Sequence, residues 1–247
     1  AMMEKQTVRS VERALDILLC FTDEEELTLT EISRKVGLNK STVYRLLASL
    51  EKKGFVTKNH LTEKYELGFR LWELSAHLKR ADDPAVMLLP EMEKLRDMIN
   101  ETVTLYVRDG KERIRVQAVE SKQTIRRVAP IGARMPVILG ASGKVLVAYA
   151  DHETQEMILN DDDWPPEKDK EAFMLELLKI RQLGYATSVE EREVGTAAVA
   201  APIHNQEGRL VAALAVSGPT GRMTEEKMKE MAPHVIHFAQ RMGNMVQ

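Results

Sequence analysis

Lysine, arginine and short hydroxylated side chains crowd one stretch of the chain, Lys40-Ser41-Thr42-Val43-Tyr44-Arg45. Donors of this kind in the opening turns of a helix suit phosphate oxygens and the base edges of a major groove. Lys58 and Lys64 stand on either side of a turn at Asn59-His60 and add further cations suited to phosphate. Between residues 28 and 67, eight Lys and Arg stand against four Asp and Glu, so the segment is net +4 in a chain of formal net charge -3. A basic island in a mildly acidic protein is the electrostatic footprint of one polyanion-binding face.

A second stretch, Gly140-Ala141-Ser142-Gly143-Lys144, opens another helix with small residues. Small side chains leave backbone N–H groups accessible, and the start of a helix favours a negative ligand group. The same pattern also fits an ordinary capped turn. Alanines crowd Ala197–Ala201 and the run from Leu210 to Ser217, where small side chains either line a cavity or let helices pack closely.

The elements that must hold the first cluster are legible in residues 28–56. Leu29, Ile32 and Val36 recur at helical spacing, Thr28 or Thr30 can cap the start, and Gly37 stops the helix. Asn39 is an N-cap for a second helix with Val43, Leu46, Leu47 and Leu50 on one face and the cluster on the other. Phe55–Lys58 and Lys64–Leu67 then read as two strands of a wing. Helix, turn, helix, wing is the arrangement that places a second helix in a major groove, and Lys40, Ser41, Thr42, Tyr44, Arg45 and Lys58 are the candidate DNA contacts. A helix over residues 7–21 precedes this unit, with Cys20 expected as a buried filler. Another follows over about 69–81, apolar on more than one side (Phe69, Leu71, Trp72, Leu74), and so in want of a partner such as a second subunit.

Asp82-Asp83-Pro84 breaks the chain. The expected organisation is therefore residues 1–68 as a winged helix-turn-helix domain, 69–83 as a linker helix and 84–247 as a second domain of mixed helices and strands, α+β overall. In that domain a helix is expected over 84–100, a hairpin turning at Asp109-Gly110, helices over 142–150 and 169–183, and strands over 185–190, 197–203 and 210–217. A last helix begins at Thr224, with Pro233 expected to bend it.

Little else in the sequence suggests reaction chemistry. There is no G-x-S-x-G elbow, phosphate loop or H-E-x-x-H motif. His234 and His237 are three apart on the last helix, but one satisfied and one exposed histidine is the plainer reading. Asp161-Asp162-Asp163 lacks calcium-loop spacing, and neighbouring Glu190 and Glu191 in a strand point to opposite faces. The expectation is a protein that is not an enzyme and needs no metal or cofactor. A hydrophobic content of 44% with 30% charged residues describes a globular protein, and the single cysteine excludes an intrachain disulfide. No apolar run is long enough to span a bilayer, and AMMEKQTVRS lacks the core of a signal peptide, so a cytoplasmic location is expected.

With these pieces assembled, the chain resembles the IclR family of bacterial transcriptional regulators. LTLTEISRKVGLNKSTVYRLLASLEKKGFV matches its DNA-binding domain; GASGKVLVAY, RQLGYATSVEEREVGTAAVAAPI and LVAALAVSGPTGRMTEE match its effector domain, in order. The resemblance implies a GAF-like domain holding a small organic acid, operator DNA as partner, a homodimer or homotetramer, and control of catabolic operons. It implies an effector bound by backbone amides at Gly140 and Ala141 and by residues at Ser188, Ala198, Ala215 and Ser217. The family often has an acid where Ser188 stands, cysteine at Ala198 and sometimes serine at Ala215. The smaller set here implies room for a bulkier or more apolar effector. Two rivals are an enzyme using a GAF-like domain and a DNA-binding architectural protein whose large domain only oligomerises.

Overall fold

The structure, a computed structural model, describes residues 6–75 and 83–246. The chain divides into two compact units, residues 1–81 and 82–247. In the first, α1 (Arg9–Leu19) runs through a 3-10 turn (Cys20–Thr22) to β1 (Leu27–Thr28), α2 (Leu29–Val36), α3 (Lys40–Lys52), β2 (Val56–Asn59), β3 (Lys64–Leu67) and α4 (Phe69–Ser75). The strands form an antiparallel sheet of order β1-β3-β2, so the wing gains a two-residue third strand that its sequence did not announce.

Local capping sets the angle between α2 and α3. The Thr28 hydroxyl accepts from Glu31 N at 3.2 Å while the Glu31 carboxylate accepts from Thr28 N at 3.3 Å, a reciprocal cap at the start of α2. Gly37 ends α2 at φ 67, a left-handed conformation that other residues adopt only with strain. Asn39 then caps α3, its side-chain oxygen accepting from Thr42 N at 2.8 Å. Ile17, Phe21, Leu27, Ile32, Val43, Leu47, Val56 and Tyr65 make the core.

Two expectations change here. Cys20 is only partly buried. Helix α1 carries two apolar faces: Ile17 enters the core, whereas Val8, Val11, Leu15 and Leu19 are each more than half exposed. On α4, Phe69, Trp72 and Leu74 are likewise exposed; the rest of the helix expected to residue 81 lies outside the described residues.

The second unit comprises α5 (Pro84–Met87), α6 (Leu89–Ile99), β4 (Thr102–Asp109), β5 (Glu112–Val119), β6 (Arg134–Pro136), α7 (Ala141–Ala148), α8 (His152–Leu159), α9 (Lys170–Leu183), β7 (Ala186–Val189), β8 (Thr196–His204), β9 (Leu210–Pro219) and α10 (Glu225–Gly243). The single helix expected over 84–100 is two helices meeting at Leu88, with Pro90 in the first turn of α6, where its missing N–H is harmless. The short strand β6 and helix α8 were not apparent from periodicity. Helix α10 continues through Pro233, with Met228, Met231, Val235, Phe238 and Met242 buried at helical spacing.

The six strands pair antiparallel in the order β6-β5-β4-β9-β8-β7. Strand alternation sorts the side chains to two faces. Val103, Leu105, Val199, Ile203, Leu214 and Val216 pack on the face shared with α6 and α10. Tyr106, Ala200, Ala213 and Ala215 belong to the cluster built with α7 and α9. All eight residues of α7 are buried, and the alanines of β8 and β9 let it lie close to the sheet.

Candidate functional site

In the first unit the exposed face of α3 presents Lys40, Ser41, Tyr44 and Arg45, with Thr42 half-buried beside them. Ser41 donates to the Asn39 cap at 2.8 Å, which spends its hydroxyl on holding the helix start. Among the described residues, neither Lys40 nor Arg45 has a carboxylate within salt-bridge distance, so both cations are available to phosphate or base. Arg13 of α1 lines a groove with Thr42, Arg45 and Ser49. Lys58 on the wing is different. It pairs with Glu63 at 2.5 Å, lies 5.7 Å from the centre of the Tyr65 ring, and has its pKa raised by that hydrogen bond to Glu63.

In the second unit Gly140, Ala141, Ser188, Ala198, Ala215 and Ser217 all line one cavity of about 60 Å³. The sheet register brings four of them together. Ser188 lies opposite Ala198, which lies opposite Ser217, in one row across β7, β8 and β9; Ala215 faces Thr104 one step along. Gly140 and Ala141 come from above, at the start of α7. Gly140 holds φ 82, and a Cβ there would come within 2.8 Å of Arg113 Nη2. The first helical bond of α7 runs from Lys144 N to Gly140 O at 3.1 Å, so the amides before it are the helix's free first-turn donors.

The Gly140 amide is already in use: it donates to Glu191 Oε1 at 3.2 Å. The other Glu191 oxygen is 2.6 Å from Lys144 Nζ, which also reaches Glu176 at 2.6 Å and the Thr187 carbonyl at 2.8 Å. Lys144 is 1% exposed and stands behind the cavity as a structural cation. Glu193 pairs with Arg127 at 2.9 Å and lies 3.8 Å from Arg192. Burial lowers the Arg192 pKa, and the neighbouring Arg127 lowers it further.

Arg113 and Arg115 on β5 complete the wall. Arg115 donates twice to the Tyr106 hydroxyl, at 3.0 and 2.7 Å, and once to the Pro130 carbonyl at 3.2 Å. Arg113 donates to the carbonyls of Pro136 and Leu139. Burial pushes its pKa down to about 10, with Arg192 and Arg115 also lowering it, and it stays charged at neutral pH. His234 and His237 are exposed, and no group of metal-ligating residues forms among the described residues.

Comparison with known proteins decides the family. A profile described as the IclR helix-turn-helix domain matches residues 10–60, and one described as the bacterial transcriptional regulator IclR C-terminal matches residues 81–244. The chain belongs to the IclR family.

Among IclR-family relatives, the transcriptional regulator KdgR of Escherichia coli is 32% identical over 246 residues, covering 97% of this chain and 93% of KdgR. XynR of the same organism is 33% identical over 227 residues, 90% of each chain. An IclR homologue from Microbacterium hydrocarbonoxydans, crystallised with 4-hydroxybenzoate, superposes with a TM-score of 0.78 at 25% identity, covering 95% of this chain and 98% of that one. The protein is thus a DNA-binding transcriptional regulator with a GAF-like C-terminal domain, and not an enzyme. Among the described residues, no helix is long and apolar enough to cross a membrane.

Thr104, Tyr106, Arg113, Arg115, Arg127 and Arg192 also line the cavity of this IclR-family chain, and the sequence reading passed over all of them. A signal was present for two. Arg113 and Arg115 alternate with Ile114 and Val116, so both arginines share a strand face, but a one-strand pattern cannot say whether that face meets water or a helix. Glu191, expected with Glu190 at a strand end and not as half of an acid/base pair, lies in the loop after β7 and holds Lys144 and the Gly140 amide.

Proposed function

We propose that this regulator reads operator DNA with the exposed face of α3, and that its second unit senses a small carboxylate-bearing metabolite. Lys40 and Arg45 supply the principal contacts, with Ser41, Thr42 and Tyr44 beside them and Lys58 assisting from the wing. The cavity bounded by Gly140, Ala141, Ser188, Ala198, Ala215 and Ser217 takes the effector. Its carboxylate lies at the α7 start, Ser188 and Ser217 offer neutral hydrogen bonds, and the two alanines leave space. No cofactor takes part.

The observation that carries the sensing half is a pair of buried arginines walling a cavity at the start of a helix, an arrangement that an oligomerisation domain has no use for. The relative crystallised with 4-hydroxybenzoate, itself a carboxylate, supports the ligand class. Ligand binding biases one subunit arrangement, changing operator affinity by a coupling of about 1–3 kcal/mol. The exposed apolar residues of α1 and α4 support a homodimer or homotetramer in the cytoplasm. The operator is then a near-palindrome with half-sites about one helical turn apart or a multiple of it, controlling a catabolic operon.

The test is titration calorimetry of the full chain with a panel of organic, aromatic and sugar acids, repeated on Ala141→Leu. The variant should lose the ligand and keep operator affinity in gel shifts, while the ligand no longer alters that affinity. Full ligand affinity in Ala141→Leu places the pocket elsewhere.

A further inference from the structure

We infer that the effector is a compact dianion, one acidic group at the α7 start and a second at the Arg113–Arg115 pair. This rests on the sensing reading above and narrows it to a class of ligand. The first argument is charge. Four arginines (113, 115, 127 and 192) and two glutamates (191 and 193) line the cavity, a surplus of +2. Behind the cavity, Lys144 is shared between Glu191 and Glu176. Of the two lining glutamates, Glu191 is held by Lys144, and Glu193 lies 2.9 Å from Arg127 and 3.8 Å from Arg192. Arg113 and Arg115, 3% and 2% exposed, are the two lining arginines that, among the described residues, have no carboxylate within salt-bridge distance. Buried charge without a partner is costly, and an incoming anion relieves that cost.

Unfilled hydrogen-bonding capacity is the second argument. Arg113 Nε and Thr104 Oγ1 are buried and have no hydrogen-bond partner, and both residues line the cavity. Such orphans are rare in folded proteins. A guanidinium Nε and a hydroxyl left without partners on the wall of one cavity suit a carboxylate or a phosphate.

Size is the third. A space of about 60 Å³ is small for a ligand site. On this inference the effector is compact and polar, not bulky. Arginines from β5 and from the loops share the lining with the smaller side chains at Ser188, Ala198 and Ala215. A short dicarboxylate or a phosphorylated two-carbon acid carries two negative groups on a compact frame.

Titration calorimetry of the full chain at constant ionic strength tests this with malonate, succinate, phosphoglycolate, 4-hydroxybenzoate and monomethyl succinate. A dianion should bind on the order of tenfold or more tightly than the half-ester, and Arg115→Gln, checked by its melting curve, should abolish the difference. Whether a dicarboxylate or phosphoglycolate binds better identifies the second acid group. If Arg115→Gln does not fold, the wild-type chain still decides. Affinity for succinate should fall from about pH 7.5 to about pH 5 as its second carboxylate protonates, while that for the half-ester changes little. Equal affinity for succinate and its half-ester overturns the dianion and leaves carboxylate sensing intact. If none of the anions binds, by calorimetry or thermal shift, the sensing reading falls and this inference with it.

Discussion

The two cationic regions of this molecule use the same side chain in opposite solvents. On α3, Arg45 stands exposed with Lys40, tied to no carboxylate among the described residues. On β5, Arg113 and Arg115 are almost wholly buried and held in place by Tyr106 and backbone carbonyls. The exposed pair keeps its hydration and its freedom until a polyanion arrives, and binds largely through displaced counterions. The buried pair lost its hydration on folding and is already oriented, which suits it to one small anion of fitting shape. Placement, rather than residue type, separates a surface for a long polymer from a receptor for a metabolite.

Salt breaks the comparison most sharply if it is wrong. Raising it from about 50 to about 200 mM should weaken operator binding by roughly 10³-fold or more, whereas buried charges are screened far less. Effector affinity should change by less than about tenfold over the same range. Fluorescence anisotropy on labelled operator and calorimetry on the effector give the two slopes, and parallel slopes would mean that the cavity is open to solvent.

Next in size is the cation behind the cavity. Lys144→Met leaves Glu191 and Glu176 facing each other without the ammonium between them. Removing one partner of a fully buried pair costs about 3–5 kcal/mol; both glutamates keep some solvent, so the loss should be about 2–3 kcal/mol. Chemical denaturation of the effector unit's transition measures it. A loss under about 0.5 kcal/mol would show Lys144 to be no more than a surface-grade pair.

The smallest expected contrast lies within the DNA-binding unit. Arg45→Ala should cost roughly 1–3 kcal/mol of operator affinity if it makes a bidentate base contact. Lys58→Ala should cost less, because Lys58 must first leave Glu63. Gel shifts that rank the two in the reverse order would move the main reading surface from α3 to the wing.

The two regions also differ in how far their sequence discloses them. The helix-turn-helix is written in neighbours: Thr28 with Glu31, Gly37, and Asn39 with Thr42 act within four residues, so the start and end of each helix can be read directly. The α7 start is of the same kind. What α7 sits beside is not. The arginines of β5 reach the cavity only because β4 and β9 lie between them and β8, with α7 covering that face. The outward apolar face of α1 is hidden for a related reason: a helix with two apolar stripes has the same period as one with a single wide stripe.

In the proposed sensing site, Glu191 gives ligand capture at the α7 start the character of an exchange. An acid group arriving at the Gly140 amide must displace a tethered carboxylate that already holds it. The measured affinity is then the difference between two carboxylates, one free and one supplied by the loop at the end of β7. The metabolite concentration at which the regulator responds is therefore adjustable from residues 190–195, through how firmly that loop holds its own acid in place, with every wall of the receptor left as it is.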